Sequence, residues 1–122
     1  MKLLYKKKKS IKWYEIDENK VQYKIKGPKK IKVRTRSLIG LNNQEYKYYI
    51  YEDGYIKSEH VYNIKQPRNE VYILDDDNDK LQLSKQDYLL INVPKGDHYY
   101  SFKKSKQTPK VYIKLEPVYK GK

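Results

Sequence analysis

Lys30, Lys32, Arg34 and Arg36 recur at every second position, the spacing in this chain best suited to chemistry with anions. On an extended strand all four project from one side, about 6–7 Å apart per two-residue step. That is close to the separation of successive phosphates or anionic sugar groups, so the row is a candidate site for phosphate or carboxylate. Arg34, Arg36 and Arg68 are the only arginines among 28 basic residues. A bidentate or stacking role is therefore expected of the two in the row. The competing expectation is a solvated face, or arginines paired with carboxylates elsewhere in the chain.

Other groups point to less. Asp75, Asp77 and Asp79 stand at positions 1, 3 and 5 of a calcium loop, but Lys80 replaces the required Gly and Gln86 the required Glu. They read as a polar hairpin tip, with a loose surface cation site as the remaining metal reading. His60 and His98 are the only histidines and there is no cysteine. A Cys-based zinc site, a thiolate nucleophile and a disulfide framework are thereby excluded, and two histidines argue against any closed zinc site. No Ser-His-Asp set is apparent from spacing, and no Gly-rich phosphate loop is present. No catalytic residue and no cofactor is expected. The 15 tyrosines must fill much of the core, yet consecutive strand residues face opposite ways, so some should be exposed. Trp13, Tyr49, Tyr51 and Tyr55 are the candidate surface aromatics, able to stack on sugars or bases.

The elements that must position these groups are strands. Val21, Tyr23 and Ile25 alternate with Gln22, Lys24 and Lys26, and the same period of two recurs after Gly27-Pro28. The patterning predicts strands over residues 11–16, 20–26, 30–38, 44–52, 55–64, 70–74, 88–93, 98–103 and 110–118. Turn chemistry separates them at Asp17-Glu18-Asn19, Gly27-Pro28, Asp53-Gly54, Gln66-Pro67-Arg68-Asn69 and Pro94-Lys95-Gly96-Asp97, of which Asp-Gly is the strongest hairpin signal. Residues 81–90 hold the one candidate helical turn, capped by Ser84 with Asp87. About nine short strands and little helix read as a single antiparallel β-sandwich over residues 1–122, jelly-roll or Ig-like, with an OB-like barrel as the alternative. Residues 1–10 read as a flexible basic tail or an edge segment.

The net charge is +13 and it is unevenly placed. Residues 1–36 carry 14 basic and 3 acidic side chains, residues 37–100 carry 7 and 11, and residues 101–122 carry 7 and 1. If the two ends lie together, the molecule is dipolar and attracts phosphates, anionic glycans or lipid headgroups. The lysine excess and the absence of alanine are also what an AT-rich genome supplies. No stretch approaches a membrane span, and the start of the chain lacks the apolar run of a signal peptide.

Lys26-Gly27-Pro28-Lys29-Lys30-Ile31-Lys32-Val33-Arg34 and Val93-Pro94-Lys95-Gly96-Asp97-His98-Tyr99-Tyr100-Ser101-Phe102 each join a Pro/Gly turn to a strand. In this the chain resembles exported bacterial β-sandwich domains of accessory role, over residues 20–118. The resemblance implies a periplasmic or cell-surface location, against the cytoplasm that a missing signal would suggest, and it transfers no catalytic residue. Two functional readings follow. The first is a non-enzymatic accessory or binding domain of the bacterial cell envelope that contacts an anionic glycan or a protein partner. The second is a basic β domain that binds nucleic acid.

Overall fold

The computed structural model describes residues 2–6, 9–16, 21–40, 42 and 44–118. The chain is all-β and antiparallel, without helix among the described residues, in keeping with a β-sandwich. The strands are β1 (Lys2–Lys6), β2 (Lys9–Ile16), β3 (Val21–Ser37), β4 (Glu45–Glu52), β5 (Tyr55–Asn63), β6 (Val71–Leu74), β7 (Lys80–Gln82), β8 (Asp87–Lys104) and β9 (Val111–Pro117). Their spatial order is β5-β4-β8-β3-β9-β2-β1-β6-β7.

Two strands organise the molecule. β3 has 17 residues and β8 has 18, and they pair along nearly their whole length, from Val21↔Phe102 to Thr35↔Asp87. The sequence divides each into two short strands at Gly27-Pro28 and at Pro94–Asp97; the structure corrects this. Those segments are not chain reversals but face each other in mid-ladder, where Gly27 pairs with Gly96 and the register shifts before Lys29. Proline cannot donate to a ladder and is tolerated at a bulge, and a bulge bends its strand. Gly96 has φ +101°, which disfavours a side chain. Gly27 lies so close to Pro94 that a Cβ there would overlap the Pro94 carbonyl oxygen and come within 2.7 Å of the Val93 carbonyl oxygen.

At this bend the long β3–β8 ladder folds over itself. The first half of β3 joins the second half of β8, then β4 and β5, in one layer; the second half of β3 joins the first half of β8, β9 and β2 in the other. Between them lies the main core, which includes Ile31, Val33, Tyr46, Tyr48, Ile50, Ile91, Val93, Tyr100, Phe102 and Ile113. Tyr46 shows that the layers face each other. From β4 its hydroxyl donates to Asp87 Oδ2 at 2.8 Å and lies 2.8 Å from Thr35 Oγ1, both in the opposite layer. A second cluster of Trp13, Val71, Ile73, Leu83 and Tyr112 sits on the other face of β2 and β9. The far end of the sheet curls back to enclose it. Leu38 bridges Leu83, the Ile39 N–H donates to the Gln82 carbonyl, and the Ser84 N–H donates to the Ser37 carbonyl.

Other expectations fall into place or change. Asp53-Gly54 is the β4–β5 turn, with φ 51° and 87°. The helical turn proposed for residues 81–90 is absent: β7 ends at Gln82 and β8 begins at Asp87. Residues 2–6 form a strand between β2 and β6, an interior place for a segment read as a tail or edge. The Asp17-Glu18-Asn19 turn lies outside the described residues.

Candidate functional site

The predicted basic row exists as a row but not as one accessible surface. Lys30, Lys32, Arg34 and Arg36 occupy alternate positions of β3, opposite the inward Ile31, Val33 and Thr35. Lys30 is exposed, and the Lys32 Nζ sits 4.1 Å from the centre of the Tyr88 ring. Arg34 Nε lies 3.2 Å from Glu116 Oε2, and Lys114 Nζ is 3.4 Å from the other oxygen of the same carboxylate. Burial alone would raise the Glu116 pKa, but Arg34 and Lys114 hold it below its ordinary value. Arg36 is only 7% exposed: it lies over the Trp13 ring and donates to the Ser84 carbonyl at 2.8 Å. The row therefore runs from solvent into the second core cluster.

The candidate aromatics separate in the same way. Trp13 is 3% exposed and is a core residue, not a surface platform. The indole is buried because β2 lies inside the curled sheet, with Val71 and Leu83 packed in the same cluster. Tyr49 and Tyr51 are half-buried on the other layer, and Tyr55 stands 80% exposed beside the β4–β5 turn. Trp13 meets the row beneath the buried Arg36, whereas Tyr49, Tyr51 and Tyr55 lie on β4 and β5. The exposed aromatic beside the row is Tyr88, 58% exposed, together with Leu90 at 49%; they pair with Arg34 and Lys32 in the ladder. Sequence reading misses Tyr88 because it opens the apolar run Tyr88-Leu89-Leu90-Ile91, which looks like a strand buried on both faces.

Asp75, Asp77 and Asp79 bring one carboxylate oxygen each within 4.8 Å of the others. Asp75 Oδ1 accepts the Asp77 and Asp79 backbone N–H groups, both at 2.9 Å. This is the capping chemistry of a hairpin tip. Ser58 Oγ and His60 Nε2 approach to 2.8 Å, a pair the sequence reading did not single out. The imidazole is stacked on Tyr62 and tilted against Tyr48, and burial lowers its pKa.

His98 ties the β4–β5 turn to the bend of β8. Its Nδ1–H donates to Asp53 Oδ2 at 2.7 Å and its Nε2–H to the Lys95 carbonyl at 3.1 Å, while Asp53 Oδ1 accepts the Tyr99 N–H at 2.9 Å. The Tyr99 N–H and then the imidazolium hold the Asp53 carboxyl below its ordinary 3.8; Asp53 and then the Lys95 carbonyl hold His98 above its ordinary 6.5. The Asp53 contribution is present above pH 3.8 and is lost as the pH falls through its folded value. The His98 contribution is present below pH 6.5 and is lost as the pH rises through its folded value. The melting temperature of wild type minus that of His98→Gln should thus be largest near pH 5 and shrink above pH 7. An equal difference at pH 5 and pH 8 would show that this pair does not hold the turn.

An open concave feature lies along the first half of β3. Residues 21–27 pair with β8 on one side, whereas β9 pairs with β3 only from Ile31 onward. Among the described residues the other edge of this segment has no strand partner. The gap between it and β9 is a groove of about 280 Å³. Tyr23, Ile25, Ile31, Leu115 and Pro117 give it an apolar floor. Lys24, Lys26 and Lys29 stand exposed along its rim, facing Glu116. Lys24 makes a 3.9 Å contact with Asp97, both side chains more than half exposed, and such a pair contributes little. Lys26 and Lys29 have no carboxylate partner among the described residues. Arg34 and Lys114 hold Glu116 from the other side, so the rim as a whole is cationic. No protein family, no curated protein and no solved structure was found to match this chain.

Proposed function

We propose that this protein is a non-catalytic binding domain whose groove along the open edge of β3 receives an extended acidic peptide segment of a protein partner. The observation that carries the reading is a strand edge without a strand partner among the described residues, beside an apolar floor and rimmed by Lys24, Lys26 and Lys29. An edge strand offers backbone N–H and C=O groups, which an added strand can pair. Alternate side chains of that strand then face the floor formed by Tyr23, Ile25 and Leu115 and the lysine rim. Residues 21–26 give room for about six residues of partner, roughly 20 Å of extended chain. Nucleic acid lacks the matching backbone donors and acceptors, and among the described residues the floor holds one aromatic, Tyr23, where single-strand binders use successive stacking platforms. Together with the resemblance to exported accessory domains, the reading extends to a role in the bacterial envelope. Recovery of tagged full-length protein in the cytosol on cell fractionation would contradict that extension.

Fluorescence anisotropy with a labelled peptide that alternates Glu with Val tests the reading. Replacing Lys24, Lys26 and Lys29 together by alanine should weaken binding about 3- to 150-fold at low salt, from roughly 0.2–1 kcal/mol per exposed ion pair. The loss should shrink as salt rises. Tighter binding of single-stranded DNA or heparin than of the peptide, lost in the same triple variant, would replace this reading with a polyanion site.

A further inference from the structure

Arg36 disappears from the surface row into a second cavity, of about 180 Å³, which shares no lining residue with the groove on β3. Arg68, Asn69, Lys85 and Gln86 line it with Arg36. Three cations from three separate parts of the chain converge there: β3, the β5–β6 connection and the β7–β8 connection. No aspartate or glutamate lines the cavity. Among the described residues neither Arg36, Arg68 nor Lys85 has an ion-pair partner. Of the nearby carboxylates, Asp87 accepts the Tyr46 hydroxyl and feels the charge of Lys85 without forming an ion pair with it, and Glu70 accepts Gln82 Nε2 and lies 3.6 Å from Lys80.

Arg36 makes this more than a cluster of surface charges. It is 7% exposed, its Nη1 is fixed on the Ser84 carbonyl and its plane lies over Trp13, yet its buried Nε has no hydrogen-bond partner. A buried guanidinium without a counter-charge is costly, and burial lowers the Arg36 pKa. The Ser84 carbonyl and the Trp13 ring hold the guanidinium where it lines the cavity, and a guanidinium is a strong donor to oxyanions. The Asn69 and Gln86 amides add neutral donors. The volume suits a small oxyanion and the first atoms of a carrier, and falls below the range of drug-sized ligand sites.

We propose that this cavity is a binding site for a tetrahedral oxyanion, phosphate or sulfate, taken as the free ion or as the terminal group of a small ester. The site is independent of the groove on β3. The test is isothermal titration with inorganic phosphate, inorganic sulfate and O-phosphoserine at ionic strength held constant with sodium chloride. Wild type should bind at least one of them. Tighter binding of O-phosphoserine than of phosphate would assign the ester, and the reverse order the free ion. Arg68 and Lys85 are exposed, so Arg68→Ala and Lys85→Ala should keep the wild-type melting temperature in chloride. Each should weaken binding by about tenfold, as expected for one charge-assisted hydrogen bond. The Lys24/Lys26/Lys29 alanine variant should bind the anions as wild type does, so failure of the groove reading leaves this site standing. No binding by wild type up to ~20 mM anion, far weaker than three converged cations should give, would overturn the proposal. So would affinity unchanged in the Arg68→Ala/Lys85→Ala double variant.

Discussion

Replacing Gly27 by alanine will destabilise the fold by at least about 3 kcal/mol, at the upper end of what overpacking costs. The added methyl would overlap the Pro94 carbonyl oxygen and crowd the Val93 carbonyl oxygen. Both obstacles are backbone atoms of the paired strand, so no side-chain rotation can make room. Relief requires the β3 and β8 backbones to separate where their long ladder bends. That bend brings Ile31, Val33, Ile91 and Val93 against Tyr100 and Phe102. Opening it therefore loosens the main core as well as one ladder position. A urea titration should show a lower midpoint with an unchanged slope. A loss below about 1 kcal/mol would mean that the close approach is not needed for the bend. Alanine at Gly54, where an added Cβ meets nothing within 4 Å, separates steric overlap from backbone strain, since that position has φ +87°.

Trp13→Ala should cost about 3–5 kcal/mol, the usual range for removing a large aromatic from a core. The indole belongs to the small cluster with Val71, Ile73, Leu83 and Tyr112. It also supports the buried Arg36 guanidinium, 5.4 Å above its ring. Its loss leaves both a cavity and a less supported buried charge. Tyr55→Ala is the matching control: Tyr55 is 80% exposed, and its removal should change stability by no more than about 0.5 kcal/mol. Equal effects of the two substitutions would contradict the placement of Trp13 in the core. Thermal and urea denaturation of both variants measures this.

Alternation made the strands and their inward residues legible, because a period of two is a local property. Val33, Ile50, Phe102 and Ile113 lie inside as the pattern implies. The bend was not legible, since Gly-Pro and Pro-Lys-Gly are the residues of both a chain reversal and a bulge. Only the cross-strand partner decides between the two, and it lies some 70 residues away in the chain. The basic row was read correctly as one strand face. Its burial gradient depends on how the sheet curls beyond Arg36, through contacts with Trp13 and Ser84 that no local pattern encodes. The groove escapes for the same reason: it depends on where the long-range pairing of β9 with β3 lies, which among the described residues spans Ile31 to Ser37. The convergence of Arg36 with Arg68 and Lys85 likewise joins residues 32 or more positions apart.

Amide hydrogen exchange of the protein with and without the acidic peptide tests the central claim most directly. If the groove takes an added strand, alternate backbone N–H groups of residues 21–26 point into the new ladder. These amides should exchange markedly more slowly in the complex, while those of β5, the far edge of the same layer, should exchange as in the free protein. Protection confined to β5, or spread evenly over lysine-bearing faces with no change at residues 21–26, would contradict strand addition at the open edge of β3.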